Sequence, residues 1–231
     1  MESEFRTSIS RQIDLVKAQL PSHVRLIAVS KQVPVSAIRI AYECGIRDFG
    51  ENRLQEAIAK QEELQDLSDI CWHFIGHIQT NKARKVLEHF SWIHSVDSLK
   101  LAKRLNKLAA ELSVSPQVLL QVKILPDPNK YGWEVTQLLE QLPQLDGLEQ
   151  LKIRGLMTIL PLGLSPEQTL SAFTATQKLA ETIKQQQPGS NLAMNELSMG
   201  MSGDYLFAIK AGATIVRLGT VIFGKRASPS K

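Results

Sequence analysis

The chain has 231 residues, of which 43% are hydrophobic and 22% are charged, and its formal net charge is +4. This composition excludes a disordered chain, and no apolar run approaches the roughly 20 residues of a membrane-spanning helix. The two cysteines form no metal or redox pair by spacing, and the N-terminus shows no signal-peptide pattern, so we expect a cytoplasmic protein whose mild positive charge suits an anionic small ligand.

Eight apolar segments predict β-strands. In chain order they are residues 25–30, 46–50, 71–76, 91–96, 116–122, 152–159, 195–200 and 213–219. Helical patterns lie between most of them, because apolar residues there recur at three- and four-residue spacing. These patterns include residues 52–64, 80–90, 98–112 and 165–187. A further amphipathic stretch precedes the first strand and predicts an extra N-terminal helix, packed outside the sheet or over its bottom.

Three features predict helix boundaries. Asp97 and Ser165 stand where helices are expected to start, and Pro166 follows Ser165 at the first helical position. The breaker sequence at residues 185–190, QQQPGS, is expected to end the long helix.

Strand–helix units repeated about eight times predict an α/β fold, namely a closed (β/α)8 barrel of the TIM type. An open doubly wound sheet is the alternative. A barrel would use nearly the whole chain, so residues 1–231 are expected to form a single domain with no second folded domain.

Lys31 stands where the first predicted strand ends, in the stretch RLIAVSKQVP. A lysine at a strand end is usually an ordinary surface residue. A desolvated lysine, however, can form a Schiff base, because burial lowers its pKa and frees the amine. In a barrel, the carboxyl ends of all strands form one functional face, so the other strand ends test this possibility.

The ends of the seventh and eighth strands carry hydroxyl groups and glycines. These are Ser198, Gly200, Ser202 and Gly203 on the seventh, and Gly219 and Thr220 on the eighth. Loops at these two positions are the recurrent phosphate site of this fold. Each glycine alone could belong to a tight turn, but two adjacent ends of this composition favour phosphate binding. Ser202 is also expected to cap the helix that follows it.

A Schiff-base lysine, a phosphate site and an arginine together predict pyridoxal phosphate as cofactor. Arg217 would donate to the pyridine nitrogen. Because a guanidinium does not readily give up its proton, that nitrogen would stay unprotonated and the ring would be a weak electron sink. Asn52, just past the second strand, could approach the ring or cap the next helix.

No metal site and no nucleic-acid site are expected. His73 and His77 lie four residues apart, but the surrounding residues predict a strand, so the two would not share a helical face. Cys71 and His94 are further possible ligands with nothing to fix their geometry. We expect His73 inside the barrel and His77 on its functional rim. The basic segments lack the interleaved aromatic residues that stack on bases.

The chain resembles the pyridoxal phosphate homeostasis protein family, whose fold is similar to the barrel domain of alanine racemase. The matching blocks are AVSK at 28–31, FGENRLQE at 49–56, WHFIGHIQTNK at 72–82, IHSVDS at 93–98, RGLMTI at 154–159, LSMGMSGDY at 197–205 and VRLGTVIFG at 216–224. One loop departs from the family pattern, since Lys123 and Asp127 stand where asparagine and glutamate are expected, while Lys130 and Gly132 match.

The resemblance implies covalent binding of pyridoxal phosphate at Lys31, no robust amino-acid turnover, and a role in vitamin B6 and amino-acid homeostasis. The expected cofactor-binding residues are Lys31, Asn52, Ser198, Ser202, Arg217, Gly219 and Thr220. It also implies a monomer without the C-terminal β domain of alanine racemase. Apo-enzymes that need pyridoxal phosphate, or a regulatory protein, are the expected partners, with no membrane or nucleic acid.

A pyridoxal phosphate-dependent racemase or decarboxylase is the alternative function. Racemisation needs acid–base groups on both faces of the substrate carbon, and alanine racemase uses a lysine and a tyrosine. This chain has only Tyr42, Tyr131 and Tyr205, and no dedicated second base is evident. A Schiff-base aldolase would need a carboxylate deep in the barrel, for which the strand ends offer Glu51 and Asp97.

Overall fold

Each of the eight apolar segments predicted as strands overlaps a strand of the barrel. The structure, a computed structural model, describes residues 2–186 and 191–224. The barrel strands are Arg25–Val29 (β1), Asp48–Glu51 (β2), Cys71–Phe74 (β3), Trp92–Val96 (β4), Gln117–Lys123 (β5), Lys152–Met157 (β6), Leu192–Ser198 (β7) and Ile215–Leu218 (β8). A two-residue strand, Trp133–Glu134, pairs with the end of β5.

Helices connect the strands. Within the described residues they are Glu2–Gln19 (α1), Val35–Glu43 (α2), Leu54–Glu63 (α3), Ala83–His89 (α4), Leu99–Leu112 (α5), Val135–Asp146 (α6), Pro166–Gln186 (α7), Tyr205–Lys210 (α8) and Thr220–Phe223 (α9), with a 3₁₀ turn at Thr80–Lys82. None of these helices is both long and apolar enough to cross a membrane.

The eight strands form one closed, parallel sheet. Each strand pairs with the next along the chain, and β8 pairs with β1, where Leu26 lies opposite Val216 and Ala28 opposite Leu218. This closure confirms the (β/α)8 barrel, because an open doubly wound sheet would leave two unpaired edge strands.

Alternate side chains of each strand fill the barrel and pack against the helices. Five apolar residues form a separate cluster, contributed by five different strands: Ile27, Trp92, Leu119, Met157 and Ile215. Their sequence neighbours, such as Ala28 and Leu156, belong to the larger core that includes the helices. This alternation follows from the pleat of a β-strand and identifies which side chains reach the barrel interior.

The extra N-terminal helix packs on the outside of the barrel. Ile9, Ile13 and Val16 are buried and recur at four- and three-residue spacing, so they lie on one face of α1. That helix contacts α2 and α9.

The two helix starts predicted at Asp97 and Ser165 agree with the structure to within one residue, whereas α3 and α4 begin two and three residues after the start of their predicted ranges. Ser165 accepts a hydrogen bond from the Gln168 amide just before α7, as predicted. At α5 the capping residue is Ser98 rather than Asp97, because the Ser98 hydroxyl accepts from the Leu101 amide. The long helix α7 reaches Gln186, and the rest of the predicted breaker, residues 187–190, lies outside the described residues.

Gly155→Ala is expected to destabilise the barrel. A Cβ atom at Gly155 would lie 1.8 Å from the Glu196 carbonyl oxygen on β7, so the two strands would have to move apart. We expect the free energy of unfolding to fall by about 1–3 kcal/mol or more, measured by urea unfolding followed by circular dichroism. Gly147→Ala is the matched control, because its nearest neighbours would be 3.8 Å away. Equal midpoints for the two variants would contradict this packing.

Candidate functional site

A cavity of about 370 Å³ opens at the carboxyl ends of the strands. It lies within the roughly 300–1,000 Å³ that is typical of small-molecule sites. Six of the seven predicted site residues line it: Lys31, Asn52, Ser202, Arg217, Gly219 and Thr220. Apolar walls come from Val29, Ile75, Ile159 and Met201. The closed barrel therefore brings together groups that are far apart in sequence.

Lys31 reaches the cavity because of the strand alternation. Ile27 lies in the barrel interior, Val29 lines the cavity above it, and Lys31 is the next residue with the same phase. Lys31 is half-buried, at the first position after β1 and Ser30. Because β1 pairs with β2 and β8, this placement sets Lys31 beside the ends of both strands.

Arg217 is a buried cation in the wall of the cavity. Its side chain lies on β8 opposite Ile27, and the residue is only 3% exposed. Nη1 donates to the Ser198 hydroxyl at 2.7 Å, and Nη2 donates to the Thr158 carbonyl oxygen at 2.9 Å. Burial lowers the pKa of Arg217 to about 10, so the guanidinium stays protonated at neutral pH. These bonds fix its plane.

A chain of hydrogen bonds runs from Arg217 through the barrel interior to Asp48, and we call it the buried polar chain. After Ser198 it continues from the Ser198 hydroxyl to His94 Nδ1 at 2.8 Å. His94 Nε2 lies 3.0 Å from His73 Nδ1, and His73 Nε2 lies 2.8 Å from Asp48 Oδ1. Ser198, His94 and His73 are each 0% exposed.

The proton positions along this chain are determined by its two ends. Burial lowers the pKa of both His73 and His94, so each imidazole is neutral and has one donor and one acceptor nitrogen. Arg217 can only donate, and the Asp48 carboxylate can only accept. Each hydroxyl or imidazole therefore accepts from the Arg217 side and donates towards Asp48, and every member is satisfied.

Ser198 lies behind Arg217 instead of lining the cavity. Its hydroxyl accepts from Arg217 and donates to His94, so it is already used in the buried polar chain. Sequence reasoning placed Ser198 among the phosphate contacts because it stands at the end of the seventh strand. The direction of its side chain into the barrel separates it from Ser202, four residues later, which does line the cavity.

The loop after β7 is held by a tight turn. Gly200 has a φ of +92°, and a Cβ there would lie 2.7 Å from the Ala208 Cβ, so both backbone shape and space require glycine. Asp204 stands at the start of α8, and its carboxylate accepts from the Met201 amide at 2.6 Å. The prediction that Ser202 caps α8 is therefore wrong.

Ser202 contacts the start of α9 instead. Its hydroxyl oxygen lies 3.3 Å from the amides of both Gly219 and Val221, from which it accepts. Ser202, Gly219 and Thr220 thus form a continuous polar wall across the ends of β7 and β8.

Asn52 lines the cavity and does not cap a helix. The residue at the start of α3 is Arg53, one position later. The loop after β3 passes very close to Asn52, since a Cβ on Gly76 would lie 2.3 Å from the Asn52 carbonyl oxygen. Gly76 therefore permits the approach that gives Asn52 its place.

Cys71 and His73 lie towards one end of the barrel, and His77 lies towards the other. His73 is interior, as expected, while His77 is exposed, with Nδ1 2.8 Å from Asp97 Oδ2 and its ring stacked on Tyr131. The potential ligand atoms of Asp48, Cys71 and His73 lie within 4.8 Å of one another. Burial raises the pKa of the Cys71 thiol to about 11, and a hydrogen bond already joins His73 to Asp48.

None of the three tyrosines is among the residues that line this cavity in the described part of the chain. The Tyr205 hydroxyl donates to Gln19 of α1, the Tyr42 hydroxyl donates to Asp69, and Tyr131 stacks on His77.

The loop that departs from the family pattern lies outside the cavity. Lys123 pairs with Glu134 at 2.5 Å, and Asp127 pairs with Lys130 at 3.0 Å. Lys130 also donates to the Leu160 carbonyl oxygen. These contacts tie the loop to its own neighbours.

His94 and Thr158 are site residues that sequence reasoning did not assign to the cofactor region. The alternation of β4, with Trp92 inside the barrel, indicates that His94 also points inward, but it gives no partner. Thr158 contributes its backbone carbonyl, for which the sequence carries no signal.

Comparison with known proteins identifies relatives across nearly the whole chain. The family model for the alanine racemase N-terminal domain matches residues 6–227. A protein of Synechocystis sp. named pyridoxal phosphate homeostasis protein is 56% identical over 209 residues, which cover 90% of this chain and 94% of that protein. The Escherichia coli protein of the same name is 39% identical over 212 residues, covering 89% and 87%.

Solved structures show the same likeness. PipY of Synechococcus elongatus, in a structure with pyridoxal phosphate bound, is 53% identical, has a TM-score of 0.90, and is covered over its full length by 94% of this chain. An alanine racemase of Clostridium difficile has a TM-score of 0.77 at 16% identity, with 97% of this chain matching 58% of that enzyme, so it shares the fold. The full-length barrel and the high identity to its relatives show that the chain belongs to the pyridoxal phosphate homeostasis protein family.

Proposed function

We propose that this protein binds pyridoxal phosphate in the barrel cavity as a Schiff base on Lys31 and acts in vitamin B6 and amino-acid homeostasis without robust catalysis. The observation that carries the proposal is that one cavity holds a lysine amine, a buried guanidinium and a wall of hydroxyls and glycines. The ligand of PipY and the names of the relatives support the same conclusion. On this proposal, residues 1–231 act as one cofactor-binding domain.

Each part of the cofactor has a matching group in the cavity. A phosphate accepts hydrogen bonds, and the Ser202 and Thr220 hydroxyls and the Gly203 backbone can donate to it, while Gly219 leaves room beside them. An aldehyde condenses with a primary amine, which Lys31 provides. When bound, the cofactor supplies that aldehyde and an electron-accepting ring. The groups that can donate to an anion lie at the ends of β7 and β8, and the Lys31 amine belongs to the end of β1. Both kinds of group therefore line one cavity and match the phosphate and the aldehyde of the cofactor.

Arg217 is the group that would donate to the pyridine nitrogen. Two of its N–H groups are directed to Ser198 and Thr158, which fixes the plane of the guanidinium in the cavity wall. We propose that Ser198 orients Arg217, in place of the phosphate contact expected from the sequence. A protonated arginine at this position leaves the ring nitrogen unprotonated, and the ring then withdraws electrons weakly.

The positions of the tyrosines support a binding protein over a racemase. Racemisation needs a second acid–base group opposite the lysine. Tyr205 is engaged with Gln19, and Tyr42 and Tyr131 lie in contacts away from the cavity. We propose apo-enzymes or a regulatory protein as recipients, and a cytoplasmic monomer as the working form.

Lys31→Ala is expected to abolish the covalent link. The parent protein with added pyridoxal phosphate should show the visible absorbance band of a Schiff base, and borohydride reduction should fix the cofactor to the peptide that contains Lys31. The variant should show neither signal. Lys103→Ala is the control, because Lys103 is exposed and bonds to Gln144. A parent protein without the band, even at saturating cofactor, would overturn the proposed function.

The protein loaded with pyridoxal phosphate is expected not to turn over added amino acids. Addition of D- or L-amino acids should produce no antipode, amine or keto acid above the background of free pyridoxal phosphate, measured by chiral chromatography. The physical reasons are the weak electron sink that Arg217 imposes and the placement of the three tyrosines, none of which is among the described residues that line the cavity. Turnover that Lys31→Ala abolishes would support the racemase or decarboxylase alternative.

Stability is expected to fall in mild acid because of the buried polar chain. Burial lowers the pKa of His73 and His94, so the unfolded state binds more protons once the pH falls below the ordinary histidine value of 6.5. Stability that is complete above that pH is then lost as the pH falls, by about 1.4 kcal/mol per pH unit for each histidine that stays neutral in the fold. Urea unfolding at a series of pH values measures this slope.

His94→Gln removes one titrating group and retains a polar side chain. We expect the pH slope of this variant to be shallower by about one proton. Identical slopes in the parent and the variant would show that His94 is not held neutral.

A further inference from the structure

A buried lysine beside Lys31 is fully satisfied by three acceptors. Lys60 of α3 is 7% exposed. Its Nζ donates to the Ser30 carbonyl oxygen at 2.7 Å, to Glu51 Oε1 at 2.8 Å and to Glu56 Oε1 at 2.6 Å. An ammonium has three N–H groups, so each has one partner. Lys60 does not line the cavity, and the proposed function gives it no role.

The two carboxylates of this cluster reach the chain on both sides of Lys31. The Ser30 hydroxyl donates to Glu51 Oε1 at 2.7 Å, and the Gln32 amide donates to Glu56 Oε1 at 2.5 Å. The residue before Lys31 and the residue after it are therefore attached to the same buried group of charges. We call Glu51, Glu56 and Lys60, with these bonds, the Lys31 clamp.

The clamp holds a turn that carries backbone strain. Gln32 has a φ of +57°, a left-handed conformation that residues other than glycine rarely adopt. The Val33 amide donates to the Ser30 carbonyl oxygen at 2.9 Å, which closes the turn around Lys31. A strained residue of this kind persists only where its surroundings determine it, and such residues concentrate at ligand sites. At Gln32, the hydrogen bond from the backbone amide to Glu56 is such a determining contact.

The charges of the clamp are arranged for position more than for stability. Glu51 is 0% exposed, and its Oε2 has no hydrogen-bond partner among the described residues. Burial raises the pKa of the Glu51 carboxyl group, against the opposing effect of Lys60. A buried ion pair adds little net stability compared with apolar side chains of similar size. What it supplies here is a fixed geometry at the two residues next to Lys31.

We propose that Glu51, Glu56 and Lys60 are positioning residues that hold the Lys31 turn so that its amine faces the cofactor aldehyde. This inference rests on the proposed function. In the covalent step the neutral Lys31 amine adds to the aldehyde carbon, and the carbonyl oxygen leaves as water with the two amine protons as the C=N bond forms. The step is redox-neutral, and its rate depends on the approach of the nitrogen to the carbon.

Glu56→Ala tests the clamp with little risk to folding, because the Glu56 side chain is 24% exposed. We expect about a tenfold increase in the apparent Kd for pyridoxal phosphate, and less cofactor fixed at Lys31 by brief borohydride reduction, as measured by peptide mass spectrometry. Glu56→Gln keeps an acceptor oxygen for the Gln32 amide and should lie closer to the parent. Lys60→Met removes the ammonium of the clamp and is expected to change the apparent Kd and the labelling in the same direction as Glu56→Ala. Lys103→Met is its matched control, and circular dichroism checks that each variant folds.

Pyridoxine 5′-phosphate separates positioning from general damage. It has an alcohol in place of the aldehyde, so it can occupy the cavity but cannot bond to Lys31. The clamp predicts that Glu56→Ala binds pyridoxine 5′-phosphate as tightly as the parent does. Equal weakening of both ligands would indicate a distorted cavity and overturn the positioning role.

The outcomes also distinguish the clamp from the proposed function. A parent that is not labelled at Lys31 would overturn the proposed function itself. A parent labelled at Lys31, with Glu56→Ala labelled to the same extent and at the same Kd, would overturn the clamp alone.

Discussion

The parallel closure of the sheet is the constraint on which the rest of the structure depends. Because all eight strands run in the same direction around the barrel, every carboxyl end meets at one opening. Lys31 and Thr220 are far apart in sequence, yet β1 and β8 are paired neighbours, so both residues line the same cavity. Below this opening the barrel is filled by apolar residues and by the buried polar chain, whose members bond to one another, so the strand ends are where polar groups face the cavity.

Two buried cations stand beside the cavity, and the fold treats them in the same way. Arg217 and Lys60 are each held by fixed oxygen acceptors that replace water. A buried charge without such partners would cost several kcal/mol. Ser198, a partner of Arg217, continues into the buried polar chain. Glu51 and Glu56, the partners of Lys60, accept hydrogen bonds from the residues on either side of Lys31. The hydrogen bonds that satisfy Arg217 thus also fix its own direction, and those that satisfy Lys60 fix the turn that carries Lys31. These are the two residues whose direction matters most for the proposed ligand.

The relation to alanine racemase is one of fold. The tyrosines of this chain serve structural contacts, such as the one between Tyr205 and α1. On the proposed function, the barrel presents Lys31 and an anion site, and no tyrosine is among the described residues that line the cavity to serve as the second base that racemisation requires. This separation is consistent with a protein that holds a cofactor for others to use.

The sequence by itself determined the eight strands, the barrel, and six of the seven residues at the cavity, because the pleat has a period of two and parallel strand ends must meet. It could not distinguish Ser198 from Ser202, since both are hydroxyls at the end of one strand and only the direction of the chain separates them. It also gave no sign that His94 bonds to Ser198, 104 residues away, or that Lys60 holds the Lys31 turn. Those hydrogen bonds join strands and helices that are adjacent only after folding, so only the tertiary structure decided them.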